Sequence, residues 1–97
     1  MRHFYRSHRP STDVLAVADR FFARRGFTAT ATTASSRQFT GPLGVMRLSA
    51  RAEGGHYTFV EVLTDQMGES RMDRNVKAFF VEVHRADDPS HTLQAAY

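Results

Sequence analysis

Apolar residues first recur with a helical period after Pro10, where Val14, Ala18, Phe21 and Phe22 fall at i, i+4, i+7 and i+8. The spacing predicts an amphipathic helix, with Ser11 or Thr12 as the cap that accepts from its first amides. Its end is written in the sequence too. Arg24 and Arg25 suit the negative end of the helix dipole, Gly26 can take the left-handed position, and Phe27 is the apolar residue that follows such a stop. A second helical stripe, Met72, Val76, Phe79, Phe80 and Val83, predicts a helix from near Ser70 to Arg85, stopped by Asp88-Pro89.

Between the helices the period changes to two. Thr28 to Thr33 alternates small and β-branched residues, and Arg37-Gln38-Phe39-Thr40 leads into the turn Gly41-Pro42-Leu43-Gly44. Val45 to Ala52 and His56 to Thr64 then read as a hairpin joined by Glu53-Gly54-Gly55. A three-residue loop with Gly55 left-handed pairs Ala52 with His56, Arg47 with Glu61 and Arg51 with Tyr57. This register sets Met46, Leu48 and Ala50 on one face with Thr58, Val60 and Val62. A two-residue Gly-Gly loop would instead press Glu61 against Leu48 on that face, and an unpaired buried carboxylate is costly. Continuing across the Gly41 to Gly44 turn pairs Thr40 with Val45, Phe39 with Met46 and Gln38 with Arg47. Arg37 then points inward, so the pattern predicts a bulge near Ser35 and Ser36 or an Arg37 that snorkels from the end of the sheet.

These elements make an α+β protein: a two-layer sandwich of a three- to five-stranded antiparallel sheet with two amphipathic helices packed on its Phe39, Met46, Val62 face. A chain of 97 residues has room for one such domain. It divides into a basic N-terminal arm or edge strand over residues 1–9, a globular body over 10–87 and a polar tail over 88–97. If residues 2–8 form an edge strand, alternation places Phe4 inside with its neighbours in solvent.

Composition narrows the chemistry. The chain has no cysteine, which removes disulfides, thiolate metal sites and thiol nucleophiles. Its apolar runs are far shorter than the roughly 20 residues needed to cross a bilayer as a helix, and a cytoplasmic protein without membrane insertion is the expectation. The net charge is +3, and Arg2, Arg6 and Arg9 account for it, because the other 10 Lys and Arg balance the 10 Asp and Glu. The body is neutral and the arm carries the excess.

Ser, His and Asp are all present but no catalytic motif frames them, and no enzyme activity, cofactor or metal is expected. His3 with His8, or Asp65, Glu69 and Asp73 at helical spacing, could ligate a metal. Exposed histidines and carboxylates suited to a helix start explain the same residues, with Asp73 placed to pair with Lys77. Gly54-Gly55-His56 could offer amides to an anion, and a plain turn explains it as well.

Two surfaces remain as candidate sites. On the outer sheet face Val45 and Leu63 at one end and Tyr57 and Phe59 at the other surround Gln38, Arg47 and Glu61, and apolar groups around a polar centre mark many protein interfaces. In the arm, Arg2, Phe4, Tyr5, Arg6 and Arg9 combine phosphate-pairing charge with rings able to stack on bases. The leading expectation is a non-catalytic protein-interaction domain, as a homodimer or an accessory subunit, acting through the outer sheet face. The alternatives are binding of nucleic acid or another polyanion through the arm, and a small-ligand binder or enzyme with a pocket between sheet and helices, marked by a buried Glu61 or His84.

Overall fold

The computed structural model describes residues 1–66 and 70–87, so the expected tail, the Asp88-Pro89 stop and Glu69 lie outside the described residues. The chain runs β1 (Arg2–Ser7), α1 (Ser11–Arg24), β2 (Thr28–Thr32), β3 (Ser36–Gly41), β4 (Gly44–Glu53), β5 (Tyr57–Thr64) and α2 (Arg71–Asp87). The strands form one antiparallel sheet in the order β1-β5-β4-β3-β2. Both helices pack on one face of it, giving the two-layer α+β sandwich that the periodicities imply. β1 and β2 are the two edges, so the connection through α1 spans the sheet.

The core is aromatic at its centre. Phe22 is fully buried and its ring lies 5.0 Å from Phe39, 5.1 Å from Phe79 and 5.6 Å from Phe27. Val14, Leu15, Ala18 and Phe21 of α1 and Met72, Val76 and Val83 of α2 close around this cluster against Met46, Leu48, Val60 and Val62. Phe80 is only partly buried: it flanks the core and stacks on Tyr5 of β1.

Helix α1 ends as its sequence implies. Gly26 has φ +86°, and the Phe27 amide reaches back to the Phe22 carbonyl at 2.9 Å. The start differs. Pro10 is the N-cap: its carbonyl accepts from the amides of Asp13 and Val14 at 3.0 and 3.1 Å, and with no polar side chain it offers no side-chain cap. Ser11 and Thr12 are thereby drawn into the first turn. The Ser70 hydroxyl accepts from the Asp73 amide at 3.2 Å ahead of α2, and this helix continues to Asp87, beyond the expected end at Arg85.

The β3–β4 register is the expected one, with Thr40 opposite Val45, Phe39 opposite Met46 and Gln38 opposite Arg47. The hairpin register is not. Glu53 pairs with Tyr57 around Gly54, Gly55 and His56, which sets Ser49 opposite Glu61 and Arg51 opposite Phe59. The loop remains three residues long but sits one position later, so each pairing slides by two residues and every side chain keeps its expected face. His56 takes φ +69°, a conformation that costs a side chain energy. Two contacts offset it: Glu53 becomes a strand residue whose carboxylate accepts from Arg6 Nε at 3.1 Å, and Arg51 comes to lie 4.8 Å over the Phe59 ring.

Arg37 does face inward, and an acid rather than a bulge settles it. Its guanidinium donates to Asp19 of α1 at 3.0 and 3.4 Å and to the carbonyls of Thr33 and Ser36. The β3–β4 pairing runs unbroken through Ser36, and the register break falls in β2, between Ala29 and Ala31.

Candidate functional site

Residues 2–7 are an edge strand, and its pairing decides the character of the outer face. β1 lies antiparallel to β5 with Arg2 opposite Leu63, Phe4 opposite Glu61 and Arg6 opposite Phe59. Side chains directly across a ladder share a face. Three of the five arm candidates, Arg2, Phe4 and Arg6, therefore join the outer sheet face, and two separate candidate surfaces become one. The expectation of an inward Phe4 is reversed: the residue is 55% exposed, while His3, Tyr5 and Ser7 face the helices. The reason is tertiary, since Tyr5 stacks on Phe80 at 5.4 Å and its hydroxyl lies 3.2 Å from His84 Nδ1. Arg9 lies beyond the strand, where its Nη2 is 3.4 Å from Asp13 Oδ2.

On this face the charges are partly consumed. Arg2 pairs with Glu61, and Arg6 with Glu53. Arg47 donates to the neutral Gln38 Oε1 at 3.2 Å, and Arg51 covers Phe59. Four guanidinium groups thus face two carboxylates, an excess of two positive charges. Among the described residues no carboxylate lies within ion-pairing distance of Arg47 or Arg51. The anticipated Arg47–Glu61 and Arg51–Tyr57 partnerships are replaced because the hairpin slides and β1 brings its own arginines.

The apolar groups divide in the same way. Phe59 points outward as expected but is not available: Phe4 stacks beside it at 5.9 Å, Arg6 and Arg51 lie over its ring, and only 5% of it is exposed. Tyr57 is 39% exposed, against the His8 ring at 4.8 Å, and Leu63 is 43% exposed. Val45 is half-buried near the opposite end of β4. Between the two groups lies a concavity of about 270 Å³, lined by Ala31, Gln38, Arg47, Ser49, Glu61 and Leu63. Ser49 and Glu53 escaped the sequence reading because Glu53 reads as loop and Ser49 carries no pattern of its own.

The other candidates are placed less suggestively. The space between sheet and helices is filled by the phenylalanine cluster; Glu61 lies on the opposite face, and His84 abuts Tyr5. Among the described residues no three His, Asp or Glu side chains are grouped to hold a metal ion. No described helix is long and apolar enough to cross a membrane. The chain matches no family model and no curated protein.

Proposed function

We propose that this domain is a non-catalytic protein-interaction module whose outer sheet face binds a partner protein with an apolar, acid-bearing surface. One observation carries the reading: a sheet face left bare by both helices presents exposed Phe4, Tyr57 and Leu63 together with an excess of guanidinium groups. Exposed rings and arginines are the side chains from which binding hot spots are most often built.

The charge argues for a different chain rather than a second copy. Two such faces set against each other would gather four arginines that lack acidic partners, a like-charge arrangement that costs energy unless acids accompany it. Nucleic acid is less well served. Arg2 and Arg6 are already engaged by Glu61 and Glu53, and Phe59 is sandwiched, so few phosphates would be neutralised and one ring of β1 and β5 lies open for stacking beside Tyr57.

The test is the Phe4→Ser, Leu63→Lys double variant, whose two positions are exposed on the face turned away from both helices. Circular dichroism should be unchanged, while a partner held by the wild-type protein should be released. Hydrogen exchange on the complex with that purified partner should protect β1, β4 and β5 rather than the outer surfaces of α1 and α2. A folded variant that keeps its partner, or protection confined to the helices, would refute the assignment. Dimerisation of the isolated wild-type protein in light scattering, abolished by the double variant, would give the face to a second copy instead.

A further inference from the structure

We infer that the concavity around Arg47 is a carboxylate-binding subsite, which receives an Asp or Glu side chain, flanked by small apolar residues, from the partner protein. This rests on the outer face being the binding surface and names the group that would be recognised there.

The basis is a guanidinium whose hydrogen-bonding capacity is mostly unspent among the described residues. Arg47 projects from β4 with its Nε given to Gln38 Oε1 at 3.2 Å, and Gln38 sits directly opposite it on β3. The amide thus orients the side chain without neutralising it. The terminal nitrogens remain for an incoming acceptor, and a planar guanidinium matches a carboxylate through two parallel bonds. Ser49, on the same face of β4, adds a hydroxyl to the wall of the concavity.

The one acid in the lining, Glu61, would ordinarily repel an anion. Here its carboxylate is taken by Arg2 from β1, so the pairing of β1 with β5 is what leaves the concavity electropositive. Leu63 and Ala31 provide apolar walls. The volume, about 270 Å³, lies below the ~300–1,000 Å³ usual for small-molecule pockets, and the site is open rather than enclosed. Those dimensions suit one side chain delivered on a larger surface better than a free metabolite.

The experiment uses blocked tripeptides as probes and the arginine Nε–Hε resonances as reporters. Acetyl-Ala-Glu-Ala-amide, at millimolar concentration, should shift the Arg47 resonance saturably, while acetyl-Ala-Gln-Ala-amide should not. Followed instead by the backbone amides of Ser49 and Leu63, which both variants retain, Arg47→Lys should weaken the Glu peptide at least tenfold and Arg47→Leu should abolish the response, with the remaining amide spectrum showing both variants folded. Equal responses to the two peptides would overturn the subsite, as would uniform shifts that include Arg20, Arg24 and Arg85 in the helices. Saturation by inorganic phosphate at lower concentration than the Glu peptide would reassign it to phosphate. Because no partner is needed, failure here leaves the result of the Phe4, Leu63 double variant to stand or fall separately.

Discussion

His3 Nε2 lies 2.7 Å from Asp73 Oδ1, joining the first strand to the start of the last helix with both side chains almost out of solvent. The other oxygen of Asp73 takes Lys77 Nζ at 3.2 Å, the i,i+4 pair that the sequence implies. With the Tyr5–His84 and Tyr5–Phe80 contacts, this latch holds β1 in the phase that turns Arg2, Phe4 and Arg6 outward. A histidine that reads as an arm residue thereby shapes the candidate site from behind.

His3→Ala should cost about 0.5–3 kcal/mol, the usual range for truncating a side chain enclosed between two elements. Lys77 retains Asp73, which should keep the loss toward the lower end. Urea denaturation gives the size, and hydrogen exchange should show β1 amides losing protection before those of β3 and β4. Equal loss throughout the sheet would mean that the contact is not a local latch.

Phe59→Ala should destabilise the fold by about 3 kcal/mol, since it removes a ring enclosed by Phe4, Arg6 and Arg51. Phe4→Ser, one strand away on the same face, should change stability by less than about 1 kcal/mol. Thermal melts of the two variants separate a buried outer-face residue from an exposed one. Similar losses would contradict that division.

Phe22→Ala should cost about 3–5 kcal/mol, because the residue is the hub of four phenylalanine contacts and a cavity there cannot easily collapse. Phe80→Ala should cost less, about 2 kcal/mol, since that ring is only partly enclosed. Its loss should instead appear as weakened protection of β1, where Tyr5 rests on it. Chemical denaturation with hydrogen exchange measures both.

Gly44→Ala should be destabilising by about 1–3 kcal/mol. Gly44 has φ +131°, and an added Cβ would approach Asp65 Oδ1 to 2.5 Å. That carboxyl is part of a bracket: Gln66 Nε2 donates to it at 3.0 Å and to the Leu43 carbonyl at 3.1 Å, and the first of these bonds is the main reason the Asp65 pKa is lowered. A depressed carboxylate stabilises the fold above its ordinary pKa, and that contribution disappears as pH falls through the lowered value. Asp65 is fully exposed, so the effect is small, and Asp65→Asn should slightly flatten the acid limb of a melting-temperature profile. A steeper acid limb in this variant would reverse the assignment.

What the sequence determined by itself is whatever depends on near neighbours. The spacing of Val14, Phe21 and Phe22, the Gly26-Phe27 stop and the stripe from Met72 to Val83 specify helices with one apolar side, because a period of 3.6 leaves a single face to bury. The alternation around Phe39, Met46 and Val60 specifies which side of the sheet meets them, because a one-residue slip would put Glu61 in the core. Composition added the absence of thiol chemistry. What only the tertiary structure decided is where elements distant in sequence met. Arg2-His3-Phe4-Tyr5-Arg6 alternates equally well in either phase, and the choice fell to Asp73, Phe80 and His84, which pull His3 and Tyr5 inward. That choice sent Arg6 to Glu53 and Arg2 to Glu61, released Arg47 from its expected partner and enclosed Phe59. The hairpin slid by two residues at no cost in side-chain facing, so hydrophobic pattern could not detect the slide. Pattern distinguishes the two faces of a strand; it is blind to even shifts along it, and those are settled by contacts with strands and helices that the local sequence does not contain.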